Sequence, residues 1–167
     1  LAGAKAEERK VCANVIACQK AEAKLKALQK EADEAQKSLK KLAEELAALD
    51  KRIKGLEDRV NGYQKKYGEL NCDSLIAGET AQATIDACND IFSKWNADQA
   101  KINELNPEVG KLRASYRRAI ADLKSKWAQI KGLKAQISAK CGETSPLLKE
   151  IADIDTKEKG LDDKADA

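Results

Sequence analysis

Residues 25–60 read LKALQKEADEAQKSLKKLAEELAALDKRIKGLEDRV, and their apolar residues return at alternating intervals of three and four. Extended in both directions, the pattern becomes a seven-residue grid from Val11 to Leu70. One row is Val11, Cys18, Leu25, Ala32, Leu39, Leu46, Ile53, Val60 and Tyr67. The other is Asn14, Ala21, Leu28, Ala35, Leu42, Leu49, Leu56, Tyr63 and Leu70, with Asn14 its one polar member. Apolar a and d positions sustained this long describe a supercoiled helix that buries a narrow seam. At about 1.5 Å per residue such a helix is a rod of roughly 90 Å.

Composition agrees with that reading. Charged residues make up 35% of the chain and aromatics 4%, the profile of coiled coils and long helices. The apolar fraction of 43% is too high, and too regularly placed, for a disordered chain. Lysine and arginine number 31 against 28 acids, so global charge does not point to nucleic acid or a membrane surface. No apolar run approaches the length of a membrane span. At 167 residues the chain is expected to be one domain. Methionine is absent even at position 1, which fits a chain processed or cut from a longer one, for instance by removal of a signal peptide.

The first helix is expected from Lys5 to Glu69, with Gly55, Gly62 and Gly68 marking bends or the close approach of a neighbour. Residues 70–80 then break the pattern with loop chemistry, and Thr80 can cap the next helix. A second row runs through Ala81, Cys88, Trp95, Ile102, Val109, Tyr116, Leu123, Ile130 and Ile137. Its phase passes through Pro107 without a slip, so the expectation is one helix over 81–140, kinked near Pro107, with a tight turn there as the alternative. Cys141 to Pro146 carries turn chemistry. Ser145 can cap a short last helix over 146–163, with Pro146 at its first position and Leu147, Ile151, Ile154 and Leu161 as its apolar stripe.

The two long arms have matched lengths on either side of the 70–80 loop, which predicts an antiparallel hairpin. The five cysteines fit that hairpin: Cys12 beside Cys141 at the base, and Cys72 in the tip loop beside Cys88. Cys18, in the a row, is then left as a buried free thiol. Pairing of Cys18 in place of Cys12 is the main competitor. The fold class is therefore all-α: an elongated, disulfide-pinned, antiparallel coiled-coil bundle. Two helices alone leave Phe92, Trp95 and Trp127 half exposed, so a third long arm or a second copy is expected to cover them.

Little in the chain supports catalysis. There is no histidine, which excludes imidazole bases, and no CxxC pair or cysteine–histidine set for zinc. Carboxylate pairs such as Glu44 and Glu45 fall on solvent-facing heptad positions. Cys18 lacks a base and faces an apolar seam, where thiols are inert. No catalytic residue, cofactor or metal is expected. Two surfaces are candidates for partner contact. Leu75 and Ile76 lie side by side in the tip loop, where they either meet a partner or cap the seam. A basic stretch includes Lys111, Arg113, Arg117, Arg118, Lys124, Lys126, Lys131, Lys134 and Lys140. It reads either as a stripe for an anionic partner or as the seat of the acidic last segment, with Glu150, Asp153, Asp155, Glu158, Asp162 and Asp163. The second reading is preferred, and aromatics interleave poorly with the bases, which argues against nucleic acid.

Ala/Lys/Glu-rich heptads, the Cys12-x5-Cys18 start, Cys72 and Cys88 at the tip and Cys141 at the base together resemble the surface proteins of African trypanosomes. That superfamily includes variant surface glycoprotein N-domains, the insect-stage glutamic acid/alanine-rich coat protein and the haptoglobin–haemoglobin receptor. The resemblance is one of style and spans the whole chain, and no ligand-contacting residue is carried over. It implies a secreted, non-enzymatic coat protein or surface antigen, held by a C-terminal lipid anchor and packed beside itself or neighbouring coat proteins. A surface receptor for a host or vector macromolecule is the second expectation, and a cytosolic coiled-coil scaffold the third.

Overall fold

A computed structural model describes residues 2–143 and 145–166; for residues 2–4, Val11 and 163–166 it describes the backbone only. Four α-helices and one short 3-10 turn follow in order: α1 (Ala2–Glu69), the turn Cys72–Ser74, α2 (Gln82–Gly132), α3 (Lys134–Cys141) and α4 (Leu147–Asp166). Among the described residues there is no strand. The fold is all-α, and the seven-residue grid accounts for its packing. Leu25, Leu28, Ala32, Leu39, Ile53, Leu56 and Val60 of α1 are all buried, and no polar or charged described residue is.

The chain divides into two compact units, residues 1–40 with 117–167 and residues 41–116. In the second unit, Ile53, Leu56 and Val60 of α1 pack with Ile102, Leu105 and Val109 of α2, and Leu46, Leu49 and Trp95 lie against that cluster. Its helices run antiparallel, because partners on α2 climb in number as those on α1 and the turn after it fall: Cys72 to Cys88, Arg59 to Asp98, Asp50 to Arg113. Tyr67 meets Trp95 edge to face at 5.8 Å between ring centres, an arrangement that puts the hydrogen-bearing edge of one ring on the face of the other.

The first unit has the same antiparallel pairing, Glu31 to Lys126 and Cys18 to Cys141, plus a third layer. Ile151, Ile154 and Leu161 of α4 are buried there, and Leu25, Leu123, Ile130 and Ile137 are sealed to below 2% exposure. A seam shared by three helices closes around a side chain from every direction. A seam between two leaves each residue some contact with water, and Leu105 at 2% is the most enclosed apolar residue of the second unit.

Several expectations are corrected. Cys141 bonds to Cys18, not Cys12, and Cys12 is an exposed free thiol. The reason lies in helical phase. Cys18 occupies an a position and points at the seam, whereas Cys12 follows the a position of Val11 by one residue and turns about 100° away. Trp127 is buried at 3%, while Phe92 is exposed and Trp95 half-buried. The helix runs through Pro107 as expected, but the single helix expected over 81–140 is interrupted at Leu133, whose N–H donates to the carbonyl of Ile130, one residue short of the α-helical partner. A Cβ built at Gly55, Gly62 or Gly68 would meet nothing within 4 Å, so none of them marks a close neighbour. At the base, the Leu147 N–H donates to the Ser145 hydroxyl at 3.4 Å, so Ser145 sits at the cap position, with α4 starting one residue beyond Pro146. Asp163 and its side-chain partners lie outside the described residues.

Substitutions in the two units should separate their energetics. Ile130→Ala, in the three-helix seam, is expected to lower unfolding free energy by about 3 kcal/mol, and Leu46→Ala, half-buried in the other unit, by clearly less. The Cys18–Cys141 bridge closes 123 residues. Cys18→Ser should therefore destabilise by about 4 kcal/mol in urea titrations, while Cys12→Ser leaves the midpoint unchanged.

Candidate functional site

The tip segment is built by local hydrogen bonds. The α1 helix ends as the Leu70 N–H reaches the Lys66 carbonyl and Asn71 takes a left-handed conformation at φ 50°. Asparagine tolerates that region because its short polar side chain can bond locally. The 3-10 turn follows, and Leu75 is extended at φ −70°, ψ 129°. The Ile76 N–H donates to the Thr80 hydroxyl at 2.9 Å, and the Thr80 N–H returns to the Ile76 carbonyl at 2.9 Å. This reciprocal pair closes a small ring around Gly78, whose φ of 84° suits glycine.

Thr80 thus closes the loop rather than capping α2. The Ala81 carbonyl accepts the first helical hydrogen bonds, from Thr84 and Ile85. Cys72 is buried and bonded to Cys88, which ties the turn to the second turn of α2. Of the two apolar tip residues, Leu75 is half-buried and Ile76 is 53% exposed. Nearby in sequence, Leu70 and Phe92 are exposed as well. Tyr67 lies below the tip, and burial first, then the neighbouring Asp73 carboxylate, raises its hydroxyl above the ordinary tyrosine value.

The basic stretch separates into parts with different uses. Lys131 binds both Asp155 and Glu158 of α4 at 2.8 Å, and Lys124 binds Asp162. Lys126 binds Glu31 of α1 at 3.2 Å, and Gln29 donates to Glu150 at 2.9 Å. The acidic face of α4 is therefore matched to lysines of α2, with Asp155, Glu158 and Asp162 contributing. Arg118 also has an interaction of its own. Lys111 and Arg117 are exposed, as are Lys134 and Lys140. Exposed ion pairs of this kind contribute little each, about 0–1 kcal/mol, so their main effect is on which face of α4 docks.

A third surface was not legible in the sequence. In the second unit an open groove lies between α1 and α2, lined in part by Ala48, Gly55, Leu56 and Ala97, of which only Leu56 is buried. Lys51, Arg52 and Arg59 line it from α1, and Lys101 and Asp98 from α2. The Arg59 guanidinium donates to Asp98 Oδ1 at 2.9 Å, while Asp98 Oδ2 is buried without a hydrogen bond. Lys101 is drawn to Glu104 at 3.3 Å. The meeting of these residues depends on the interhelical register, which no local motif encodes.

Among the described residues no group of three or more cysteines and acids is placed to hold a metal ion, and no helix is long and apolar enough to cross a membrane. Compared with known proteins, the chain matches no family model, no curated protein and no solved structure.

The pair of carboxylates on Lys131 raises its pKa above the ordinary 10.5, through the hydrogen bonds to Asp155 and then Glu158. A lysine raised in the folded state stabilises fully below its unfolded value and loses that contribution as pH climbs through the raised value. The stability difference between the wild type and Lys131→Met, followed by thermal unfolding, should therefore hold from about pH 6, where both carboxylates are ionised, to about pH 10, and its charge-dependent part should be lost as pH climbs further.

Proposed function

We propose that the chain is a non-enzymatic cell-surface coat protein or surface antigen. The observation that carries this reading is covalent: each compact unit has a disulfide joining α1 or the turn after it to the returning chain, Cys18–Cys141 in one and Cys72–Cys88 in the other. Bridges of this kind persist where the surroundings are oxidising, outside the cytosol. The resemblance to trypanosome surface proteins rests on the same cysteines and heptads, and it supplies the rest of the proposal. The chain is displayed through a C-terminal lipid and packs against copies of itself or neighbouring coat proteins. A coat protein needs a charged exterior that stays soluble when crowded, and the lysine- and acid-rich outer faces of these helices meet that need.

A surface receptor for a host or vector macromolecule is the second reading. It is favoured by Ile76, an apolar residue 53% exposed in a tip segment fixed by a disulfide and a reciprocal hydrogen-bond pair. Rigid, exposed apolar loops are common contact sites. In that case Ile76→Asp would abolish partner capture, whereas a coat protein would tolerate it.

The test uses cells of the native source. Intact cells are treated with a membrane-impermeant amine biotinylation reagent, and the recovered protein is mapped for disulfides without reduction. The expected result is labelling on intact cells with Cys18–Cys141 and Cys72–Cys88 oxidised. Labelling only after permeabilisation, with all five cysteines reduced, would overturn the surface reading in favour of a cytosolic scaffold.

A further inference from the structure

We infer that the groove between α1 and α2 in the second unit is a binding site for an acidic oligosaccharide, a sugar chain bearing sulfate or carboxylate groups. The inference is independent of where the protein resides and stands whether or not it is displayed on a cell surface. Its first ground is charge. Lys51, Arg52 and Arg59 of α1 and Lys101 of α2 line it together with a single carboxylate, Asp98. Arg59 and Lys101 have acidic partners, but Lys51 and Arg52 have no ion pair or hydrogen bond among the described residues. On the α4 side of the other unit the pattern is different, with Lys124, Lys126 and Lys131 each held by an acid of another helix.

The second ground is shape. Small residues, Ala48, Gly55 and Ala97, lie among the cations, and the space at Gly55 is open, since a Cβ there would meet nothing within 4 Å. Glycine inside a helix is about 1 kcal/mol worse than alanine, and here no neighbouring chain segment requires it. What it leaves is exposed backbone beneath the cations. The groove is open rather than enclosed, which suits an extended ligand lying along the helix pair and not a small molecule sealed from water.

The third ground is Asp98. Its Oδ2 is buried and lacks a donor, and a buried unsatisfied acceptor costs about 1–3 kcal/mol. If Arg59, whose side chain is 60% exposed, turned to an incoming anion, Asp98 would lose its one partner. A ligand that brings hydroxyl donors together with anions compensates the exchange: its sulfate or carboxylate takes the guanidinium, and its hydroxyl donates to Asp98 Oδ1, the oxygen that Arg59 vacates. Sugar acids carry that combination on every residue or two. A nucleic acid would bring the phosphates, but no aromatic side chain lines the groove on which its bases could stack.

The probe is a heparin-derived oligosaccharide titrated into the full chain by calorimetry, in a series of salt concentrations. Binding is expected at low salt and should weaken steadily as salt rises, because arginine and lysine contacts to anions are screened. The double variant Lys51→Glu, Arg52→Glu should weaken binding by about tenfold or more, since two charge-assisted contacts become repulsive. Lys134→Glu, Lys140→Glu, which reverses two exposed cations of the other unit, should leave affinity within about twofold, as distant surface charges are screened. Both variants are checked for unchanged helicity, and Lys51→Gln, Arg52→Gln replaces the first if charge reversal unfolds the chain. The assignment is overturned by an absence of binding at low salt, or by equal losses in the groove and control variants. It is overturned too if a single-stranded DNA oligonucleotide of matched charge binds as tightly and through the same two residues.

Discussion

An α-helix that repeats its apolar residues every three and four positions can hide only a strip of its surface, and every other feature of this chain is arranged around that strip. With two helices, as in residues 41–116, the strip is covered along its centre and wet along its margins. Leu46, Leu49 and Trp95 remain partly exposed, and the edge-to-face contact of Tyr67 with Trp95 covers part of what the aliphatic seam cannot. With a third helix, as in the unit formed by residues 1–40 and 117–167, the same strip closes completely around Leu25, Leu123, Ile130 and Ile137. The thinness of the seam also explains the weight placed on covalent bonds. Where buried area is limited, constraining the unfolded chain adds stability that packing cannot supply.

Charge has two separate uses in this fold. Around α4 it favours one docking face: Asp155 and Glu158 meet Lys131 of α2, and Asp162 meets Lys124. Around the groove, cations gather from two helices and outnumber the acids that line it. The lysines of the first arrangement are paired across helices, whereas in the second Arg59 and Lys101 are paired and Lys51 and Arg52 are not.

Much of this is readable in the residue order, and the exceptions have particular causes. The grid locates the buried face of α1 from Ala21 to Val60, because a period near 3.5 has one helical interpretation. The Cys72–Cys88 pair comes from a short segment between two helices. The preferred reading of the basic stretch also holds for Lys124 and Lys131, since acids and bases adjacent in sequence across a turn are adjacent in space. Arm length distinguishes Cys12 from Cys18 by only two turns, too little to choose between them. Their positions within the heptad carry the answer, since only a seam-facing sulfur can reach across. At Pro107 the ring removes one hydrogen bond, whereas the packing of Leu105 and Val109 on either side keeps the helix in place. The groove escapes sequence reading altogether, because Arg59 and Asp98 are 39 residues apart and meet only through the register of two helices.

The Cys18–Cys141 bond also decides how the chain would respond to force. It joins positions 123 residues apart, and α4 lies wholly outside the loop it closes. Tension applied to the flanking segments would travel through the sulfur bridge and bypass the long helices between. Only α4 and the first turns of α1 could be drawn out while the bond is intact. Reduction of that bond would place the enclosed length under load, held by the α1–α2 seam and the inner Cys72–Cys88 bridge, so a single covalent bond separates a short, stiff response to pulling from a long, compliant one.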